Sequence, residues 1–328
     1  MSLYRNLILV ALILTFGVVS LGAYVRLSDA GLGCPDWPGC YGKITPHHAA
    51  EAINAELAER PSGPVSHAKA WKEMIHRYAA GTLGVLVLGI AALAWRGRHS
   101  RVSGGPALPT LLLGLIVFQA LLGMWTVTQL LKPLVVTAHL LGGMATLSTL
   151  LWLRLRERGE VKHAYFARGD HLRLGAALGL VLVVIQIALG GWVSSNYAAL
   201  ACTDFPLCQG VWMPAMDFEH SFTLHRELGE TAAGDWLPRT ALTAIHWVHR
   251  VMALVVTLYL GWLMLRLLRT PGYAIIGLVI GAVLALQVAL GISNVLLSLP
   301  LPVAVAHNAG AALLLASLVW LNNRVHRR

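Results

Sequence analysis

The sequence predicts an all-α polytopic membrane protein whose eight transmembrane helices form two tandem four-helix bundles of the same orientation. Three observations support this fold class. Apolar residues make up 57% of the 328 residues and charged residues only 12%, which is about half of the charged share of a soluble domain. Apolar stretches of about 20 residues recur, the length that a helix needs to cross a bilayer. The two halves of the chain also repeat each other. A soluble enzyme, a disordered chain and a small disulfide scaffold are excluded.

Eight apolar segments are predicted to cross the membrane as helices, because lipid offers no partner to an unpaired backbone group. The predicted spans are residues 6–27, 74–95, 108–130, 134–153, 174–195, 243–265, 273–296 and 302–322. The first segment lies where a signal peptide would lie. It is nevertheless too long for a signal h-region and reaches Arg26 without a small-residue cleavage site. We therefore expect it to remain as a span.

The distribution of charge predicts the orientation of the spans. Basic residues cluster in the loops after the second, fourth and sixth spans and at the C-terminus: Arg96, Arg98, Arg101, Arg154, Arg156, Arg158, Lys162, Arg168, Arg173, Arg266, Arg269, Arg324, Arg327 and Arg328. The loop 196–242 is instead mainly acidic. Both termini are therefore expected in the cytoplasm and the two long loops outside, in a bacterial-type inner (cytoplasmic) membrane. This orientation explains the net charge of +10 without nucleic-acid binding.

An internal repeat relates the two halves. Three pairs of segments share an offset of 202 − 34 = 168 residues: 34–40 with 202–208, 119–123 with 287–291, and His139 with His307. We expect a first half at residues 1–158 and a second at 159–328, each with four spans. An even number of spans gives both halves the same orientation, related by a rough two-fold axis along the membrane normal. Many transporters instead have inverted repeats, so the repeat argues against a transporter.

Four histidines lie in or at the edge of predicted spans, namely His76, His139, His249 and His307. Ionisable side chains in a membrane are costly and usually face an interior site. The second and fourth spans of each half each supply one of these imidazoles, at a similar depth. The alternative is four hydrogen-bonded core histidines, which the duplicated pattern disfavours.

Two imidazoles from separate helices are sufficient to bind haem iron from both sides. A macrocycle also fits between the helices of a four-helix bundle. Zinc and copper sites usually need a third or fourth protein ligand, and the sequence places no such ligand beside each pair. The sequence therefore predicts one haem in each half.

An arginine directly follows the first ligand of each pair, as Arg77 and as Arg250. At the wet end of a helix, a guanidinium is suited to binding haem propionates through charge-assisted hydrogen bonds. Arg26 is a third candidate for this contact. The alternative for all three is that they anchor their helices at the membrane surface.

The two halves differ beside their first histidines. Glu73 lies three residues before His76, on the same helix face, whereas His246 lies three residues before His249. Two equivalent electron-transfer sites would not require this difference. A carboxylate beside a haem can act as a general base or stabilise a developing cation. The alternative is that Glu73 only interacts favourably with the helix dipole.

Each half also has a cysteine pair in its first long loop, Cys34 with Cys40 and Cys202 with Cys208. The spacing of five intervening residues differs from the C-x2-C of zinc and thioredoxin-like motifs. On the oxidising side of the membrane, each pair most simply forms a disulfide that holds a proline-containing loop over a haem pocket. Copper binding and a thiol relay are the alternatives.

Together, these residues resemble the haem A synthase family. The resemblance lies in Gly22-Ala-Tyr-Val-Arg-Leu-Ser-Asp-Ala-Gly-Leu-Gly-Cys-Pro-Asp-Trp-Pro-Gly-Cys40, in Glu73-Met-Ile-His-Arg77, in segment 119–123 and in the two late histidines. It implies an enzyme that oxidises the C8 methyl of haem O to a formyl group through a hydroxylated intermediate. It also implies that Glu73, His76 and His139 belong to the site of the substrate haem O, and that His249 and His307 bind a haem b cofactor. The resemblance further implies a functional link to haem O synthase and to cytochrome oxidase assembly.

Binding of the haem iron by two histidines limits the possible oxidation mechanisms. Iron with two axial imidazoles has no open position for oxygen, so oxygen activation would require one histidine to leave. The favoured alternative removes electrons from the macrocycle and lets water attack the activated methyl, with Glu73 taking a proton. The haem b half would carry electrons to an acceptor that the sequence does not identify.

Two other functions share most of these features. A di-haem b-type electron-transfer protein explains the histidines but leaves Glu73 without a counterpart, and a haem transporter would depend little on Glu73. The sequence leaves open the roles of His220, His225 and His246, and it is compatible with a homo-oligomer.

Overall fold

The structure, a computed structural model, describes residues 2–97, 105–157 and 170–326. The regular secondary structure of these ranges is helical, and β pairing within them is limited to isolated bridges. The helices are α1 (Ser2–Leu27), α2 (Ala50–Glu59), α3 (His67–Arg96), α4 (Ala107–Thr128), α5 (Pro133–Glu157), α6 (Asp170–Ser195), α7 (Phe218–Ser221), α8 (Arg239–Leu268), α9 (Ala274–Leu296) and α10 (Leu301–His326). A short 3-10 turn, Ala198–Leu200, follows α6.

Eight helices in the described ranges are long and apolar enough to cross a membrane. Of the ten α-helices in these ranges, only the short α2 and α7 are not among them. Each coincides with one predicted span. Large apolar side chains point outward along them, as Val85 and Leu174 do, each 70% exposed, and lipid can cover such surfaces. The prediction of an all-α membrane protein with eight spans is confirmed.

Two of these helices begin well before the predicted spans. α3 begins at His67 and not at residue 74, because Ser66 caps it: the Ser66 hydroxyl accepts the Lys69 N–H at 3.2 Å. α8 begins at Arg239, directly after Pro238. His76 and His249 therefore lie more than two turns inside their helices, and not at the helix starts.

The described residues group into two compact units: Met1–Thr146 with Arg226–Leu228, and Leu147–His225 with Gly229–Arg328. In the first unit, α3 packs against α1 and α4, and α5 lies close to α4 and α1, where Cβ atoms placed on Gly142 and Gly143 would meet Gln119 and Val19. In the second unit, α6, α8, α9 and α10 form a closed ring in which each helix packs against two others.

Some sequence predictions concern residues outside the described ranges. The proposed boundary between halves at 158–159 lies there. So do several basic residues that predict the orientation: Arg98, Arg101, Arg158, Lys162, Arg168, Arg327 and Arg328.

Candidate functional site

Each unit carries a small loop closed by a disulfide. Cys34 is bonded to Cys40, with Cα atoms 4.9 Å apart, and Cys202 to Cys208, with Cα atoms 4.8 Å apart. All four cysteines are buried, and no cysteine of the described ranges is free. The predicted disulfides are therefore confirmed, and no thiol remains for a copper site.

An aspartate inside each loop fixes the turn at its end. The carboxylate of Asp204 accepts the backbone N–H groups of Gln209 and Gly210 at 2.7 and 2.8 Å. These bonds lower the pKa of Asp204, since they favour its charged form. Asp36 accepts two N–H groups in the equivalent turn of the first loop, at 2.6 and 2.7 Å. The loops are thus locally rigid platforms beside α3 and α8.

The predicted propionate-binding arginines hold these loops to the helices. Arg250 donates to the carbonyl groups of Asp204 and Leu207, both at 2.9 Å, and to that of Cys202 at 3.0 Å. Arg77 donates to the carbonyl of Asp36 at 2.8 Å and to that of Gly39. The binding of propionates by Arg77 and Arg250 stays a prediction. Arg26, the third candidate, lies 3.7 Å from Asp29 in an ion pair.

Glu73 is buried at the base of the first loop, where its side chain is 5% exposed. Its Oε2 accepts the Cys34 N–H at 2.9 Å, and its Oε1 forms an ion pair with Arg77. Glu73 therefore connects the disulfide loop to the helix turn that carries His76. A carboxylate held between a backbone donor and a guanidinium, one turn from an imidazole, is in a position to accept a proton.

His246 has the same two neighbours in the second unit. Its Nδ1 lies 3.3 Å from the Cys202 nitrogen and its Nε2 lies 3.2 Å from the Arg250 Nε. A neutral imidazole accepts at one nitrogen only, whereas a carboxylate accepts at both oxygens. His246 can therefore satisfy one of these donors at a time, while Glu73 satisfies both of its donors. Both residues connect a disulfide loop to an arginine on the helix, but only Glu73 can carry a negative charge.

The structure brings together the first predicted histidine pair. The rings of His76 in α3 and His139 in α5 have centroids 6.5 Å apart and planes crossed at 86°. A metal–nitrogen bond of about 2 Å on each side, and about 1 Å from nitrogen to ring centre, would separate the centroids by about 6 Å. One metal ion between the rings fits this separation.

The second pair lies in α8 and α10. His307 is near enough to His249 for the two rings to interact electrostatically. Two glutamines accompany this pair: Gln186 lies 3.1 Å from Nδ1 of His249, and Gln287 lies 3.4 Å from Nε2 of His307. Both pairs therefore combine imidazoles from two helices of one half, as the sequence predicts.

Buried polar atoms support a metal-bound group at these pairs. The Nδ1 atoms of His76, His139 and His307 are buried without a hydrogen-bond partner, which is costly for core histidines. The described residues contain no group of three or more His, Cys, Asp or Glu that could hold a metal. A cofactor that needs only two axial imidazoles fits this donor set better than zinc or copper.

A glycine on a neighbouring helix faces each of the four rings. A Cβ placed on Gly22, Gly123, Gly190 or Gly291 would lie 3.0, 3.4, 3.2 or 3.1 Å from the Cε1 of His76, His139, His249 or His307, respectively. The contact of these glycines with the imidazoles was not predicted, although 190 − 22 and 291 − 123 both equal 168. The repeat offset was the signal that could have found them.

Arg250 makes a testable contribution to the second loop. Replacing Arg250 by lysine should loosen residues 202–208, because an ammonium cannot reproduce the planar fork that contacts three carbonyls. Each lost charged hydrogen bond is worth about 1.5–3 kcal/mol, so hydrogen exchange of the loop amides should accelerate about tenfold or more. The matched control is Arg239→Lys. Unchanged exchange at residues 202–208 would contradict the role.

Comparisons with known proteins identify relatives of this chain. Residues 5–319 match the COX15-CtaA family, described as cytochrome oxidase assembly protein. A Heme A synthase of Shewanella oneidensis is 43% identical over 316 residues, which cover 96% of this chain and 94% of the relative. A Heme A synthase of Allorhizobium ampelinum is 29% identical over 345 residues, covering 97% and 88%. One of Caulobacter sp. is 30% identical over 346 residues, covering 97% and 94%.

Proposed function

We propose a function from the premise that this chain belongs to the COX15-CtaA family of cytochrome oxidase assembly proteins. The protein is a haem A synthase, an oxidoreductase that converts the C8 methyl of haem O to a formyl group and so forms haem A. Two successive two-electron oxidations with addition of water give a geminal diol on that carbon, and loss of water leaves the aldehyde.

The observation that carries the site assignment is the position of Glu73, one turn from His76 in the half that holds the crossed His76–His139 pair. We assign haem O to His76 and His139, with Glu73 as the catalytic base. His249 and His307 hold haem b, and the iron of each haem is the bound metal. His246 replaces the carboxylate in the second half, which suits a site that carries electrons and performs no proton abstraction.

The chain's own residues prepare the proton transfer. Arg77 and the Cys34 N–H hold the Glu73 carboxylate in a fixed position one helical turn from His76, where it accepts a proton from attacking water. Arg77 also holds the disulfide loop over α3 and so limits access of bulk water. A haem b held by His249 and His307 would supply one-electron transfer. Its acceptor is a further partner of this protein.

The proposed orientation places both termini in the cytoplasm and the disulfide loops outside the inner membrane. The basic loops and the disulfides support it, because disulfides persist in oxidising compartments. Haem O synthase supplies the substrate and cytochrome oxidase assembly uses the product.

The experiment that tests the function is expression in a membrane supplied with haem O, followed by extraction and chromatography of the haems. A haem A synthase yields haem A, whereas a di-haem electron carrier or a haem exporter returns haem O unchanged. Recovery of haem O alone from fully haem-loaded, oxidised protein would overturn the proposal.

The glycine contacts give a second test of the site. Replacing Gly22 by valine should displace His76 and lower the haem content of the first half several-fold, because a Cβ alone would lie 3.0 Å from the ring. Gly17 lies in the same helix with nothing within 4 Å of its Cβ position, so Gly17→Val is the matched control. Pyridine haemochrome spectra measure both. Equal haem content in the two variants would contradict the close packing of ring and glycine.

A further inference from the structure

Gln186 in α6 contacts the imidazole of His249 in the adjacent helix α8. Its Nε2 lies 3.1 Å from Nδ1 and 3.4 Å from Nε2 of that ring, and 3.1 Å from the carbonyl oxygen of His249. Gln186 is one helical turn before Gly190, the glycine against which the same ring packs. The amide therefore touches both the ring and the backbone of a single proposed haem ligand.

The first half has no such contact. The repeat offset of 168 places Val18 where the second half has Gln186 (186 − 168 = 18), while the glycines at 22 and 190 correspond. A valine side chain cannot form a hydrogen bond. The Nδ1 of His76 is accordingly buried without a hydrogen-bond partner. The two histidine sites thus differ by this amide as well as by the exchange of Glu73 for His246.

The amide is chemically suited to a metal-binding imidazole. When one ring nitrogen binds iron, the other carries the proton and donates it to an acceptor that fixes the plane of the ring. Turning the Gln186 amide end for end places its Oε1, which is buried without a hydrogen-bond partner, where it can accept that N–H. In a membrane-spanning helix an amide costs more to bury than the valine of the first half. The polar residue is therefore expected to have a role at His249.

Helix packing keeps Gln186 beside its ligand. In the second unit, α6, α8, α9 and α10 close into a ring, so α6, which carries Gln186, and α8, which carries His249, are neighbours.

We propose that Gln186 is a positioning residue that holds the His249 imidazole in its iron-binding orientation and makes the second site retain its haem. The first site, with Val18 at the equivalent position, exchanges haem readily. This proposal rests on the proposed function, because it takes haem as the ligand of both pairs. It assigns the difference between a retained cofactor and an exchanged substrate to one side chain.

The test uses the full-length purified protein with His76→Ala and His139→Ala, so that any remaining haem belongs to the second site. Gln186→Met is added to this background, because methionine matches the length of glutamine without its hydrogen bonds. Val18→Met, the same replacement at the equivalent position, is the control. Two measurements follow: the rate of haem transfer to excess apomyoglobin, and the electron paramagnetic resonance spectrum of the low-spin ferric haem.

Gln186→Met should accelerate haem transfer about tenfold or more, in line with the loss of an outer hydrogen bond to a metal ligand, and should shift the ferric spectrum. A role in folding alone would leave that spectrum unchanged. Val18→Met should alter neither measurement. Unchanged transfer and spectrum in Gln186→Met would overturn the proposal for Gln186. A background protein that binds no haem at all would instead overturn the ligand assignment, so the two failures are distinguishable.

A second variant, which adds the amide to the first site, tests the proposal even if the Gln186→Met protein cannot be produced. In protein with His249→Ala and His307→Ala, remaining haem belongs to the first site, and Val18→Gln should slow its transfer several-fold. Transfer at the rate of the Val18 parent would count against the proposal.

Discussion

Replacing Glu73 by glutamine is expected to lower haem A formation about 100-fold or more, while haem remains bound. The amide oxygen of glutamine can still accept the Cys34 N–H, but the side chain can no longer take a proton, and a positioned base typically contributes a factor of about 10²–10⁴. Haem O or its hydroxylated product should accumulate. Chromatography of extracted haems measures this change, and pyridine haemochrome spectra measure the haem that is retained.

A control for the loop is needed because Glu73 also pairs with Arg77, and breaking a buried ion pair is destabilising. Arg77 keeps its bonds to the Asp36 and Gly39 carbonyls in the glutamine variant. Glu73→His reproduces the residue that stands beside Cys202 and Arg250 in the second half. We expect this variant to keep its haem and thermal stability and to be as inactive as Glu73→Gln. A full yield of haem A from either variant would refute the assigned role of Glu73.

Replacing the histidines pair by pair is expected to remove one haem at a time. His76→Ala with His139→Ala should abolish haem A formation and remove the haem of the first half, because no other imidazole replaces either axial ligand. His249→Ala with His307→Ala should remove haem b and leave haem O bound but unoxidised. The Soret absorbance per polypeptide and the composition of the extracted haems check both outcomes.

His220 provides the matched control, because it lies in the short helix α7 with its Nδ1 2.7 Å from Asp217, and the repeat gives it no role. His220→Ala should keep both haems. The ligand assignment would be wrong if the protein lacking all four histidines kept its Soret band.

The candidate site could be predicted where it consists of ionisable side chains that are costly to place in a membrane and that recur in both halves of the chain. Histidines within apolar spans, and cysteines six positions apart in matching loops, are visible without coordinates. The repeat offset also relates the glycines that face the four rings, but their contact with the imidazoles depends on helix packing and was not predicted. The capping of α3 by Ser66 was also missed, because the polar residues that begin this helix resemble a loop in composition.

The sequence alone determined the eight spans and the duplicated histidines, because hydrophobic length and residue spacing are local properties of the chain. It predicted the disulfide loops, and its motifs showed the resemblance to the family. The tertiary structure decided which side chains meet. It placed Glu73 between Cys34 and Arg77, His246 between Cys202 and Arg250, and Gln186 against His249. Such contacts join residues of different helices and loops, whose relative positions depend on how the helices pack.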